Sequence, residues 1–187
     1  MLKLFKETVL WKILNYFLSH PSTSIYVKQL SRELKISPSG TNQALKSLAE
    51  AKILFREEKG KAHYYNLDND LPFVKYLKVA HFLAVIENLK IEEKFKKLDE
   101  NLISLILYGS YAKGEYDERS DVDLIIISSK FKKHFLPLIQ YMERFLNREV
   151  SLEVFNIPKW LKIKRENPTF YKEIVNSYIL LTGSELP

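Results

Sequence analysis

A chain of 187 residues, 46% hydrophobic and 28% charged, has room for one ordinary domain or two small ones, and its composition excludes wholesale disorder. It contains no cysteine, which removes disulfides and thiolate metal sites, and its four histidines (His20, His63, His81, His134) are scattered without metal-ligand spacing. The formal net charge of +6 gathers at the front, where residues 1–68 carry 11 Lys+Arg against 6 Asp+Glu while residues 101–187 carry 12 against 11, so a polyanion is the expected partner of the first third.

The opening stretch "MLKLFKETVLWKIL" is broken by Lys3, Lys6, Glu7 and Lys12, which argues against a signal peptide. No apolar run approaches the ~20 residues that span a bilayer, so a cytoplasmic chain with no membrane partner is expected. In "FKETVLWKILNYFLSHP", Val9, Leu10, Ile13, Leu14 and Phe17 recur at the spacing of one buried helical face, and His20–Pro21 ends the run. A short β-prone piece, "TSIYV", leads to a second helix, "VKQLSRELKI", with Leu30 and Leu34 inward. Ser37 as cap and Pro38 at the first helical position open a third helix, whose inner face carries Leu45, Leu48 and Ala49. "ILFREEKGKAHYYNL" then reads as two strands around a Glu-Lys-Gly turn.

This order of helix, short strand, helix, helix and hairpin resembles the winged helix-turn-helix family over residues 1–68. The resemblance implies double-stranded DNA as partner, with the third helix entering the major groove. Ser39, Thr41, Asn42, Gln43 and Lys46 would face bases or phosphates there, and Arg56, Lys59, Lys61 and His63 would sit on a wing along the backbone.

Residues 69–100 read as a linking helix. From Phe73 to Ile86, 11 of 14 residues are apolar, so the helix is expected to be buried on more than one side and to mediate a homodimer. The charged, amphipathic "ENLKIEEKFKKLDE" would continue it to residue 100.

The last part, 101–187, holds the chemistry. "NLISLILYGS" reads as a strand ending at Gly109, "SYAKG" as one helical turn closed by Gly114, "EYDERS" as a polar loop and "DVDLIIIS" as a second strand. A period of two puts Asp121 and Asp123 on one face, where each raises the other's pKa unless a cation is present. Hard oxygen ligands without histidine or cysteine point to Mg²⁺ or Mn²⁺, which usually also hold substrate phosphates. Gly109 allows close approach of phosphate oxygens to the backbone, and the Ser110 hydroxyl and following N–H groups can donate to them. The four-residue gap between Gly109 and Gly114 imitates a P-loop, but Glu115 and Tyr116 replace the lysine and hydroxyl residue that motif needs.

"GSYAKGEYDERSDVDLIII" resembles the signature of the minimal nucleotidyltransferases of the DNA polymerase beta-like superfamily. The resemblance implies an α+β fold with a short mixed sheet and packed helices, an NTP such as ATP held by Gly109, Ser110, Lys113 and Ser120, and two metal ions on Asp121 and Asp123. It also implies two-metal transfer of an NMP group to a hydroxyl acceptor, and a third carboxylate on a later strand. In "REVSLEVFNI" Glu153 is the favoured residue for that role, as ligand and general base, with Glu149 as competitor and Ser151 standing where an aspartate could be expected. Two other functions remain open from sequence: a DNA-binding regulator whose nucleotidyltransferase domain senses nucleotide or is inactive, and an antitoxin-like protein that modifies or masks a partner protein. "NPTFYKEIVNSYILLTGSELP" completes the chain as a capped helix and a short strand before Gly183.

Overall fold

The computed structural model describes residues 8–60 and 62–187; Lys61, expected on the wing, lies outside the described residues. The chain divides into two compact units, Met1–Ala84 and Val85–Pro187, the division falling inside a helix.

The first unit runs α1 (Val9–Ser19), β1 (Ser24–Tyr26), α2 (Val27–Leu34), α3 (Pro38–Glu50), β2 (Leu54–Lys59), β3 (Ala62–Leu67) and the start of α4 (Pro72–Asn88), in the element order anticipated from sequence. Caps set its helix starts. Thr8 accepts from the Trp11 N–H and Ser37 from the Gly40 N–H, with Pro38 in the first turn where its missing N–H costs nothing. The three strands form an antiparallel sheet in the order β1-β3-β2, with Lys59 paired to Ala62 across the hairpin end. Ile13, Phe17, Leu18, Leu30 and Leu45 are fully buried in one core that also takes Tyr65 from β3 and Val74 from α4. Leu10 departs from the expected inner face of α1: it is 44% exposed.

The middle of the chain differs from the single helix expected over 73–100. Lys90 takes a left-handed conformation (φ 53°), which ends one helix and starts α5 (Ile91–Leu98). The burial of α4 departs from its composition at four positions. Phe73 and Tyr76 are 57% and 76% exposed, whereas Lys78 and His81 are buried. Each buried polar head has a partner, Lys78 Nζ donating to Asn69 Oδ1 at 3.0 Å and His81 Nε2 lying 2.8 Å from Asn15 Oδ1. Burial holds the His81 imidazole neutral, with its pKa lowered to about 4.

The second unit is built on a four-stranded mixed sheet, β4 (Ser104–Tyr108), β5 (Val122–Ile127), β6 (Val150–Phe155) and β7 (Ile179–Gly183), in the order β6-β5-β4-β7. β4 pairs antiparallel with β5 and β7, and β5 pairs parallel with β6. The continuous apolar runs of β4 and β5 follow from burial on both faces, since Leu105, Ile106, Leu107 and Leu124 through Ile127 are all at 0% exposure. α6 (Gly109–Lys113) follows β4 directly, and α7 (Leu136–Leu146) links β5 to β6. α8 (Ile157–Glu166), capped by Asn156, is a helix that was not anticipated from the sequence. With α9 (Pro168–Asn176), capped by Asn167 as expected, it contributes Trp160 and Ile174 to a core with Ile106, Ile125 and Ile127.

Candidate active site

The Gly109 corner and Asp123 meet at one end of this sheet. β4 delivers Tyr108 opposite Asp123 in the antiparallel register, so the chain turns into α6 beside the carboxylate. Gly109 makes that turn at φ +68°, a conformation L side chains rarely adopt. A Cβ there would also collide with Asp123 Oδ2 and lie 3.3 Å from its Cγ. Glycine is therefore required twice, for the backbone angle and for the room taken by the carboxylate. The first N–H groups of α6 have no intrahelical acceptor, and the residue before the helix supplies no side-chain cap. Gly114 closes the helix in the left-handed region, its N–H turned back to Ser110 and Tyr111 carbonyls.

Asp123 is half-buried and Asp121, just outside β5, is exposed. Burial raises the Asp123 pKa, and the charges of Asp121 and then Glu173 add to it. Tyr108, on the same sheet face, has its hydroxyl pushed up to about 12 by burial, with Asp123, Glu153 and Glu173 contributing. Asp121, Asp123 and Glu173 thus lie close enough for their charges to act on one another.

The parallel register sorts the carboxylates of β6. Ser151 stands opposite Asp123, and Glu153 stands opposite Ile125, on the same face but one pair further along and exposed. That diagonal is roughly 8 Å between α-carbons. Glu149, just before β6 and exposed, gives its backbone carbonyl to the Val122 N–H at 2.9 Å, which sets it at the level of Asp121. Among the described residues no three acidic or histidine side chains form a cluster with metal-holding geometry.

The remaining phosphate candidates are already engaged. Lys113 Nζ lies 3.3 Å from Glu173 Oε1 on α9. The Ser120 hydroxyl accepts from the Asp117 N–H at 2.9 Å and donates to Asp117 Oδ1 at 3.1 Å, and Asp117 Oδ1 also accepts from the Arg119 N–H at 2.8 Å. Those bonds, with the Arg119 N–H first, hold the Asp117 carboxyl below the usual range and fix the loop that leads into Asp121. Glu173 was not anticipated, because nothing in a charged amphipathic helix 50 residues later says which sheet end it will overhang. Tyr111 and Tyr116 stack at 4.1 Å beneath the loop.

In the first unit, Ser39, Gln43 and Lys46 are exposed on α3 and Asn42 is partly exposed, all on neighbouring turns. Thr41 is corrected: it is fully buried, its hydroxyl donating to the Ser37 carbonyl at 3.0 Å, so it stabilises the helix start and presents nothing outward. On the hairpin Arg56, Lys59 and His63 are exposed, with Lys59 paired to Glu57 at 2.9 Å.

The class of the second unit is shown by comparison with known proteins. The nucleotidyltransferase domain family matches residues 89–181. A Methanocaldococcus jannaschii protein, provisionally named a protein adenylyltransferase, is 34% identical over 70 residues, covering 35% of this chain and 70% of that protein. Two more of the same provisional name and organism are 47% identical over 47 residues (22% of this chain, 48% of that protein) and 50% identical over 79 residues (39% and 54%). The chain thus spans about half the length of these last two relatives. A solved toxin–antitoxin structure with AMP-PNP aligns over 50% of this chain and 74% of its own at 19% identity and a TM-score of 0.34. The chain belongs to the nucleotidyltransferase family.

Proposed function

We propose that the chain transfers an NMP group from a nucleoside triphosphate to a hydroxyl of a protein acceptor, and that its first unit is a winged helix that binds double-stranded DNA. The observation that carries the transferase reading is the packing of the Gly109 corner against Asp123, which joins phosphate donors and acidic ligands in one place. The protein acceptor is supported by the provisional names of the relatives from Methanocaldococcus jannaschii.

In this reading the α6 N–H groups and the Ser110 hydroxyl donate to the triphosphate, Lys113 neutralises it, and Ser120 keeps the loop before Asp121 in place. Two hard carboxylates without a third fit Mg²⁺ or Mn²⁺ with phosphate oxygens completing the shell, so Asp121 and Asp123 would hold the ions. A bound cation supplies Lewis acidity toward the phosphates and the acceptor hydroxyl. The acceptor oxygen bonds to the α-phosphorus as the bond to pyrophosphate breaks. Glu153, on the Asp123 face of the sheet, takes the hydroxyl proton as general base, provided its long side chain spans the diagonal. Buried Ile106 and Ile125 keep the floor beneath these groups dry.

Incubation with labelled ATP, GTP, CTP or UTP and Mg²⁺ or Mn²⁺ tests the reading through label appearing on lysate proteins or on the chain itself. A regulator that only senses nucleotide would bind ATP and transfer nothing, and an antitoxin-like protein would confine label or binding to one cognate partner. The exposed Ser39, Gln43, Lys46, Arg56 and Lys59 and the helix–helix–hairpin order support the DNA reading. The exposed rings of Phe73 and Tyr76 support a homodimer through α4, and light scattering that finds only monomer at micromolar concentration would remove it.

A further inference from the structure

Lys113 ends the short helix that begins at the Gly109 corner, and the group that meets it comes from a different part of the unit. Glu173 on α9 reaches it at 3.3 Å, with the lysine side chain 32% exposed and the glutamate 55%. α9 cannot drift away from this position. Phe170 packs edge-on against Tyr108 at 6.2 Å, Tyr171 lies 5.6 Å from Trp160, and Ile174 is fully buried in the core with Ile106 and Ile125. The backbone of Glu173 is therefore held over the site, while its half-exposed carboxylate is free to rotate into solvent.

We propose that Glu173 sets the affinity of the nucleotide site, as a carboxylate that holds Lys113 and is displaced by the incoming triphosphate. The inference rests on the nucleotidyltransferase reading and adds a residue to it. With Glu173 in place Lys113 is already paired, so a triphosphate gains little from the lysine until that carboxylate leaves, and it faces Asp121 and Asp123, whose charge a divalent cation would offset. Displacing Glu173 exchanges one carboxylate for phosphate oxygens around Lys113, so the lysine stays paired throughout. Glu173 is a positioning residue, because it acts on the nucleotide through Lys113.

Calorimetry of ATP binding across a Mg²⁺ titration, with the full chain, tests this. Glu173→Gln frees Lys113 and removes one repulsive charge, and should tighten ATP by about five- to tenfold, the order expected from one half-exposed ion pair and one like charge. It should also lower the Mg²⁺ concentration needed for half-maximal binding, which loss of a merely structural contact would not do. Lys113→Ala should weaken ATP binding, and adding Glu173→Gln to it should recover less than the single Gln change gains. Should the Gln variant unfold, Glu173→Asp retracts the carboxylate by one methylene while keeping its charge, and should tighten ATP by a smaller amount. Folded Glu173 variants with unchanged or weaker ATP binding and unchanged Mg²⁺ dependence overturn the inference while leaving the transferase reading intact. No ATP binding by the unaltered chain with Mg²⁺ sinks that reading, and the inference with it.

Discussion

The two units place their candidate functional residues in opposite ways. In the first, Ser39, Gln43, Lys46, Arg56 and Lys59 stand on the outside of a closed apolar core, and the one member of the set that turned inward, Thr41, is satisfied by its own helix. In the second, polar groups enter the end of a sheet that is dry on both faces, so Asp123 is half-buried and Tyr108 is driven up to about 12. The difference is one of dielectric. Exposed charges act through a shared surface, whereas charges at a dry strand end change one another's proton affinity and can take part in a reaction.

The largest test of that contrast is removal of the carboxylates. Asp121→Ala with Asp123→Ala should lower nucleotide transfer by about a thousandfold or more, a loss of roughly 4 kcal/mol or more of transition-state stabilisation, and abolish metal-dependent ATP binding. It should cost little stability without metal, because a like-charge pair is removed. A thermal scan in EDTA beside the transfer assay separates these, and a double variant that still transfers would move the chemistry elsewhere.

The same comparison predicts a softer response in the first unit. If residues 1–68 bind DNA, replacing Lys59 and Lys61 by Ala should shallow the log–log salt dependence of affinity by roughly two units, since each phosphate contact contributes about −0.9. Changing Asn42 and Gln43 should alter sequence preference and leave the slope alone. Titrations of labelled duplex at several salt concentrations read both, and a slope indifferent to the lysines would make this unit a protein-interaction module.

Gly109→Ala joins backbone strain to steric conflict with Asp123 and should cost about 1–3 kcal/mol of stability, along with most nucleotide affinity. Urea denaturation of the variant checks the first and calorimetry the second. Near-normal affinity would show that the corner does not hold the phosphates.

The effect confined to a pH window belongs to His81. Its folded pKa of about 4 lies below the usual histidine value, so the unfolded chain binds the proton first. The stability contributed by the neutral ring is complete above about pH 6.5 and lost as pH falls toward 4, a change of at most roughly 3 kcal/mol. Unfolding midpoints measured across that window should fall less steeply in His81→Gln. Parallel pH profiles of the two proteins would remove the histidine from the account.

Much of this was legible in the residues because local rules dictate it. The caps at Ser37 and Asn167, the turn of helix between Gly109 and Gly114, and the same-face spacing of Asp121 and Asp123 each depend on a few neighbouring positions. What local rules do not specify is which distant segments share a space. The burial of His81 against Asn15, 66 residues earlier, and the approach of Glu173 to Lys113, 60 residues away, were decided by distant partners. The register of β6 is the clearest case. Sequence alone favoured Glu153 over Glu149, with Ser151 standing where an aspartate could be expected, and parallel pairing to β5 set Ser151 beside Asp123 and Glu153 one pair beyond. Register depends on the packing of a whole sheet face, which no single strand carries within itself.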